Sequence, residues 1–543
     1  MSLRMPRRPV AAAALLAVAA AVVLCSSAAG RPVDSGTSIV IDVSCTPNSF
    51  DPAAPRSGEC GVLTWQFYPT LVAWASKPGP GPGTLAWDRS KVVPAVAQSW
   101  TISPDGKVYT FTLNPKAKFP DGTQITCSAV KFNFDRDTAT GATAASFWGT
   151  GQTDNYPSMA CPKPNTVVMT LPTRPNPDLL LGLVQASLIA EPSEIAQHPD
   201  TVAGTVTTID PYWASHIAGG GGPFLMTSYT PGQQIVASRN PNYVGPTVNV
   251  GGITINFITD EATRILNAQN GQADITTGLT VQDASSLEGK NGLRTFIFPS
   301  SNWIDLGFVW NKPPFNSLTF REAMTHAIPF KQIRDTIGAG RGILFWGPIP
   351  PGFSFYNQEL EGANSPNYPK YDLTMAQKLI TQSGVHTPVD VTMDIVAGDA
   401  QGTSIATTLQ SLWKPLGVNL NLNVLPSAQF NTTVFAGTDN MFTFTDGSAV
   451  GTPAALLAFD MQCNAQFNRT KMCIPPADLS YFKARTVTDP AKAKKYWDKV
   501  IKLWQAQYPK VNMYTAPIPV VLSPKVKTFF FFSSLFYYNY DAA

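Results

Sequence analysis

The stretch VVPAVAQSWTISPDGKVYTFTLNPKAKFPDGTQITCSAVKFNFDRD, residues 92–137, carries the densest run of local structural signals in the chain. Residues 99–102 are predicted as a short strand and Pro104-Asp105-Gly106 as a turn. Residues 108–113 form the returning strand of a half-buried hairpin, read with Val/Phe on one side and Tyr/Thr on the other. A second turn, Phe119-Pro120-Asp121-Gly122, leads to Thr126. That residue is expected to N-cap a helix that points Ala129, Val130 and Phe134 inward.

Outward from that stretch, 543 residues are too many for one small core, and three or four domain-sized units are expected. With 44% hydrophobic and 14% charged residues the chain is globular, and 47 prolines and 40 glycines imply many turns. The formal charge is +3, but Arg4, Arg7 and Arg8 belong to an N-terminal leader. Without them 39 − 3 = 36 basic residues face 36 acidic ones, which excludes a nucleic-acid partner.

In that leader the arginines precede an apolar run at 10–24, too short for a transmembrane span, and small residues at 26–30. Export is therefore expected. Cys25 stands where a lipidated cysteine would, while cleavage after Ala28 or Ala29 is the alternative. The six other cysteines fall into sequence-local pairs: Cys45 with Cys60, Cys127 with Cys161, Cys463 with Cys473. Proximity favours this pairing among fifteen connectivities, and free thiols are less expected outside the cytosol. Metal binding by cysteine has no support, because there is no Cys-x-x-Cys and no histidine near a cysteine.

Catalytic signals are sparse. His198, His216, His326 and His386 are scattered, and His326 reads as a satisfied or surface side chain on a helix. No metalloprotease, nucleophile-elbow or phosphate-loop motif occurs, so a secreted hydrolase is a weak alternative. The run KPGPGPGT at 77–84 is a turn or tether and not a phosphate loop.

Along the chain, strands are predicted at 38–43, 253–257, 389–396 and 418–424, and helices at 261–270, 319–328, 371–384 and about 404–416. Asp489-Pro490 opens a last helix whose Ala493, Trp497, Val500, Ile501, Trp504 and Tyr508 form a core-facing stripe. GGGGPFLMTSYTPGQQIVASRNPNYVG, residues 219–245, is a hairpin with a Pro231-Gly232 turn.

The order of these pieces resembles the family-5 solute-binding proteins of ABC importers, the peptide/nickel-binding class. Pro94, Ser99-Trp100, Phe119, Asp121-Gly122 and Val130 match its first signature. Gly222-Pro223-Phe224, Pro231-Gly232 and Arg239-Asn240-Pro241 match a second, and NGQADI (270–275) and RTFIFPSSNWIDLGFVWNKPPFNS (294–317) match others.

The resemblance implies an α/β, two-lobed periplasmic-binding-protein-like fold of class II type, with an extra subdomain in the first lobe. The expected division is a leader at 1–29, first-lobe core at 30–65, extra subdomain at 66–204, core again at 205–299, second lobe at 300–510 and a return to the first lobe at 511–543. It further implies a non-enzymatic, extracytoplasmic binder without cofactors. The expected partners are a short peptide and an ABC permease with its ATPase subunits. The protein is expected to be monomeric and to reach the membrane only through a lipid anchor. Nickel, haem and oligosaccharide are alternative ligands on the same fold.

The expected ligand contacts follow the same resemblance. Asp446, in MFTFTDGSAVGTP (441–453), aligns with an aspartate that holds a peptide's α-amino group, although the family's flanking tryptophan is replaced here by Phe442 or Phe444. An Asp-Gly turn is the competing reading of Asp446. Trp303, Trp148 and Phe444 are candidate cleft aromatics, with core packing as the alternative. Thr70 and Leu71, where Pro69-Thr70 replaces the family's Glu-Gly, are expected to border the cleft.

Overall fold

Two sheets with separate apolar cores divide the molecule, seen in a computed structural model. It describes residues 36–47, 49–54, 60, 62–79, 81–140, 156–173, 175–176, 179–204, 206–246, 248–298, 302–397, 399–447, 452–463, 468–487, 489–531 and 541–542. The first sheet has seven strands, in the order Phe224–Thr230, Gln234–Arg239, Gly252–Phe257, Ser38–Val43, Ile275–Thr276, Ile518–Leu522 and Arg294–Phe298. Ser38–Val43 lies parallel to both its neighbours; Ile39, Ile41 and Val43 are fully buried on one face and Asp42 on the other, as a central strand covered on both faces requires.

The second sheet has five strands: Val418–Leu425, Val389–Val396, Met441–Gly447, Asn302–Phe308 and Lys510–Thr515. One core gathers apolar residues from 39 to 298 and from 518 to 530, the other from 303 to 516. This is a two-lobed mixed α/β fold.

Two smaller four-stranded sheets pack into the first core. One contains the opening hairpin, Ala97–Ile102 with Val108–Leu113. Its inward residues are Tyr109, Phe111 and Leu113, and Val108 is only half-buried. A period of two cannot put Val108 and Phe111 on one face, so the expected Val/Phe side is corrected. The Cys127–Ala139 helix begins after Thr126, but Thr126 makes no side-chain cap; its hydroxyl bonds Ser128 Oγ instead, at 2.8 Å. Asp372 and Asp489 do cap their helices, accepting from Met375 N and from Ala491 N and Lys492 N. The helix expected from about 404 starts at Ala400, because Asp399 caps it by accepting from Gly402 N.

The chain passes between the sheets twice, and the strands flanking the two passages pair with one another. Arg294–Phe298 and Asn302–Phe308 flank the first crossing, and Lys510–Thr515 leads into Ile518–Leu522 at the second. Phe298 pairs with Ile518 below the crossings, Trp303 with Thr515 above them, and Ala516 N donates to Asn302 O at 2.8 Å. The expected boundary at 510/511 therefore falls inside a strand of the second sheet, and the return lies at 516–517. The order 389–396, 400–413, 418–425 gives the parallel strand–helix–strand unit that the alternating pattern suggested.

Candidate functional site

Asp446 lies near the end of the Met441–Gly447 strand, directly opposite Trp303. That register places it beside the crossings, because Trp303 also faces Thr515, the last strand residue before the return. The strand begins in the core, with Met441 and Phe442 buried, and becomes exposed toward Gly447. The carboxylate thus stands at the end of the second sheet from which the chain passes to the first.

Its partners are few. Asp446 Oδ1 accepts from Gly447 N at 2.8 Å, which is the Asp-Gly turn contact. Asp446 Oδ2 faces Arg469 Nη1 at 3.3 Å, with the two side chains 14% and 13% exposed. Arg469 in turn stacks over Phe444, its Cζ 4.7 Å from the ring centroid, and over Phe435 at 5.3 Å. Phe444 also stacks on Phe430, with centroids 5.9 Å apart. The half-buried acid therefore sits in an aromatic corner and shares it with a cation that sequence reasoning missed. Arg469 is 23 residues from Asp446, inside the loop closed by Cys463 and Cys473, and no local pattern ties the two together.

Trp303 is 1% exposed, and its indole Nε1–H has no hydrogen-bond partner among the described residues. It meets Phe353 edge-on at 6.4 Å. Lys510 Nζ lies 6.0 Å from its ring centroid and forms a buried ion pair with Asp305 Oδ2 at 2.8 Å. The structure therefore brings Asp446, Trp303 and Phe444 together.

Thr70 and Leu71 belong to the first lobe. Leu71 is fully buried; its N–H donates to Ser187 Oγ and its carbonyl accepts from Ala97 N, both at 2.8 Å. Both of its backbone groups are therefore paired within the first lobe. Thr70 is half-buried, with its carbonyl accepting from Val96 N and an antiparallel bridge to Leu188. The glycine cluster locks this segment from the other side. Gly222 N donates to Phe67 O at 2.9 Å, and a Cβ on Gly222 would lie 2.5 Å from the Phe67 carbonyl carbon. Trp148 and Cys25 lie outside the described residues.

Disulfides join Cys45–Cys60, Cys127–Cys161 and Cys463–Cys473, the pairing that proximity favoured. Among the described residues no group of three His, Cys, Asp or Glu side chains is placed to hold a metal ion, and no helix is long and apolar enough to cross a membrane. A concavity of about 690 Å³ on the second lobe is lined by residues including His326, Tyr368, Lys502 and Tyr508; it contains none of the expected ligand contacts.

The two sheets, the paired crossings and the acid beside them define a two-lobed solute-binding protein, and residues 91–468 match the family model for bacterial extracellular solute-binding proteins, family 5. The chain belongs to that family. It is 28% identical over 403 residues to the probable D,D-dipeptide-binding periplasmic protein DdpA of Escherichia coli, covering 74% of this chain and 72% of that one. Among solved structures, the periplasmic binding protein DppA of Helicobacter pylori, in complex with the peptide STSA, superposes with a TM-score of 0.77 at 21% identity. The match covers 91% of this chain and 96% of that one. A dipeptide-binding protein from Pseudoalteromonas in complex with Met-Leu gives 0.76 at 19% identity, over 90% and 96%.

Proposed function

We propose that this protein is the extracytoplasmic binding component of an ABC importer, which takes a short peptide between its lobes and delivers it to a membrane permease driven by cytosolic ATPases. The observation that carries the reading is Asp446, a half-buried carboxylate held by a single long contact to Arg469 and standing opposite Trp303. A carboxylate partly withdrawn from water makes a charge-assisted hydrogen bond to a ligand ammonium. The peptide names of the relatives support the same ligand class.

The protein acts as a monomer and performs no catalysis. A lipid on Cys25 would tether it to the cell membrane; Cys25→Ala followed by cell fractionation checks this, and unchanged membrane association would remove the anchor.

Asp446→Ala tests the reading. Affinity for a short peptide should fall by about 2–5 kcal/mol, as for one partner of a desolvated charge pair. Thermal stability should move by less than about 1 kcal/mol, because the Arg469 contact is single and partly hydrated. The reverse order, with melting temperature lowered and peptide affinity kept, would make Asp446 a turn residue only.

A further inference from the structure

Two arginines in this molecule hold aspartates in ways that separate structure from function. Arg136 binds Asp51 and Asp200 through four hydrogen bonds of 2.6–2.8 Å, with side-chain exposures of 6%, 0% and 11%. Arg469 reaches Asp446 through a single contact of 3.3 Å, and both partners keep more than a tenth of their surface. The rest of its guanidinium lies against the faces of Phe435 and Phe444. That stacking gives the cation a resting place independent of the carboxylate. The pair also joins the strand bearing Asp446 to the loop of the Cys463–Cys473 disulfide, so the cation comes from a different element than the acid.

We propose that Arg469 is the resident occupant of the ammonium anchor. It neutralises Asp446 within the protein and yields the carboxylate to the ligand's cation, sliding back on the two phenylalanine faces. Binding is then an exchange of one cation for another. The strength with which Arg469 holds Asp446 sets how far the site prefers a free amino terminus over a blocked one. This rests on the peptide reading and makes Arg469 a specificity-determining residue for it. No bond is made or broken; one ion pair replaces another.

The test is equilibrium dialysis of the whole protein and of Arg469→Gln against a randomised tetrapeptide library, supplied free or N-acetylated, with retained peptide measured by mass spectrometry. The readout is the ratio of free to acetylated peptide bound, which a change in folded fraction does not alter. The ratio should rise roughly three- to tenfold in Arg469→Gln, the scale of one partly hydrated ion pair. Arg469→Lys, which keeps the charge but loses the planar stack, should fall between the two. An unchanged or lowered ratio in Arg469→Gln, with wild-type binding intact, overturns the exchange and leaves the peptide reading standing. Retention of neither library by any of the three proteins overturns the peptide reading, and the exchange with it.

Discussion

Asp394 shows most directly how one side chain couples this fold to pH. It lies in the centre of the Val389–Val396 strand at 2% exposure, where Asn423 Nδ2 donates to it at 2.7 Å. Burial, with Asp439 beside it, pushes its carboxyl up from 3.8 to about 7. Between those values the folded protein holds a proton that the unfolded chain has released, so the slope of stability against pH is negative. Urea midpoints should therefore fall as pH rises from about 4 to about 7, and Asp394→Asn should flatten that part of the profile. A profile identical to wild type in Asp394→Asn would assign the slope elsewhere. Asp446 is the contrasting acid, close to the surface and beside a cation. Its position on an apolar strand ending in Asp-Gly was legible from the sequence. Its partner was not, because Arg469 reaches it through the tertiary fold.

Elements built from local chemistry were legible, and those fixed by distant contacts were not. The Ser38–Val43 strand, the hairpin over 97–113 and the caps at Asp372 and Asp489 follow from periodicity and side-chain oxygen placement. Thr126 shows the limit: its hydroxyl has an alternative partner in the Ser128 hydroxyl two residues on, and propensity cannot choose between that contact and a cap. Leu71 shows another, since only the folded lobe reveals that Ser187 and Ala97 consume its backbone groups.

The Cys127–Ala139 helix is held to the core by long-range chemistry. Its Arg136 grips Asp51, in the turn after the first strand, and Asp200. Asp51→Ala leaves Arg136 with Asp200 alone and two of its buried N–H groups without their acceptor, so it should destabilise by about 1–3 kcal/mol, measured by urea unfolding. A loss below about 1 kcal/mol would mean that the charges are hydrated despite their burial. The same helix is tied by Cys127–Cys161. Non-reducing peptide mapping should recover that bridge, and free thiols at both positions would remove it.

At the scale of the whole molecule, each lobe keeps its own core, and the strands flanking the two passages pair with one another, Phe298 with Ile518 and Trp303 with Thr515, so a hinge is expected at those passages. Rotation there would move the lobes while leaving both cores packed. Small-angle scattering should show a smaller radius of gyration on adding a peptide that binds, and an unchanged radius would argue against closure. The central claim, a short peptide held beside Asp446, is tested most directly by mass spectrometry of whatever is released from protein purified under native conditions. Short peptides with free amino termini should be released from the wild type and be absent from Asp446→Ala. Haem or an oligosaccharide released in stoichiometric amount, and retained equally by Asp446→Ala, would contradict it.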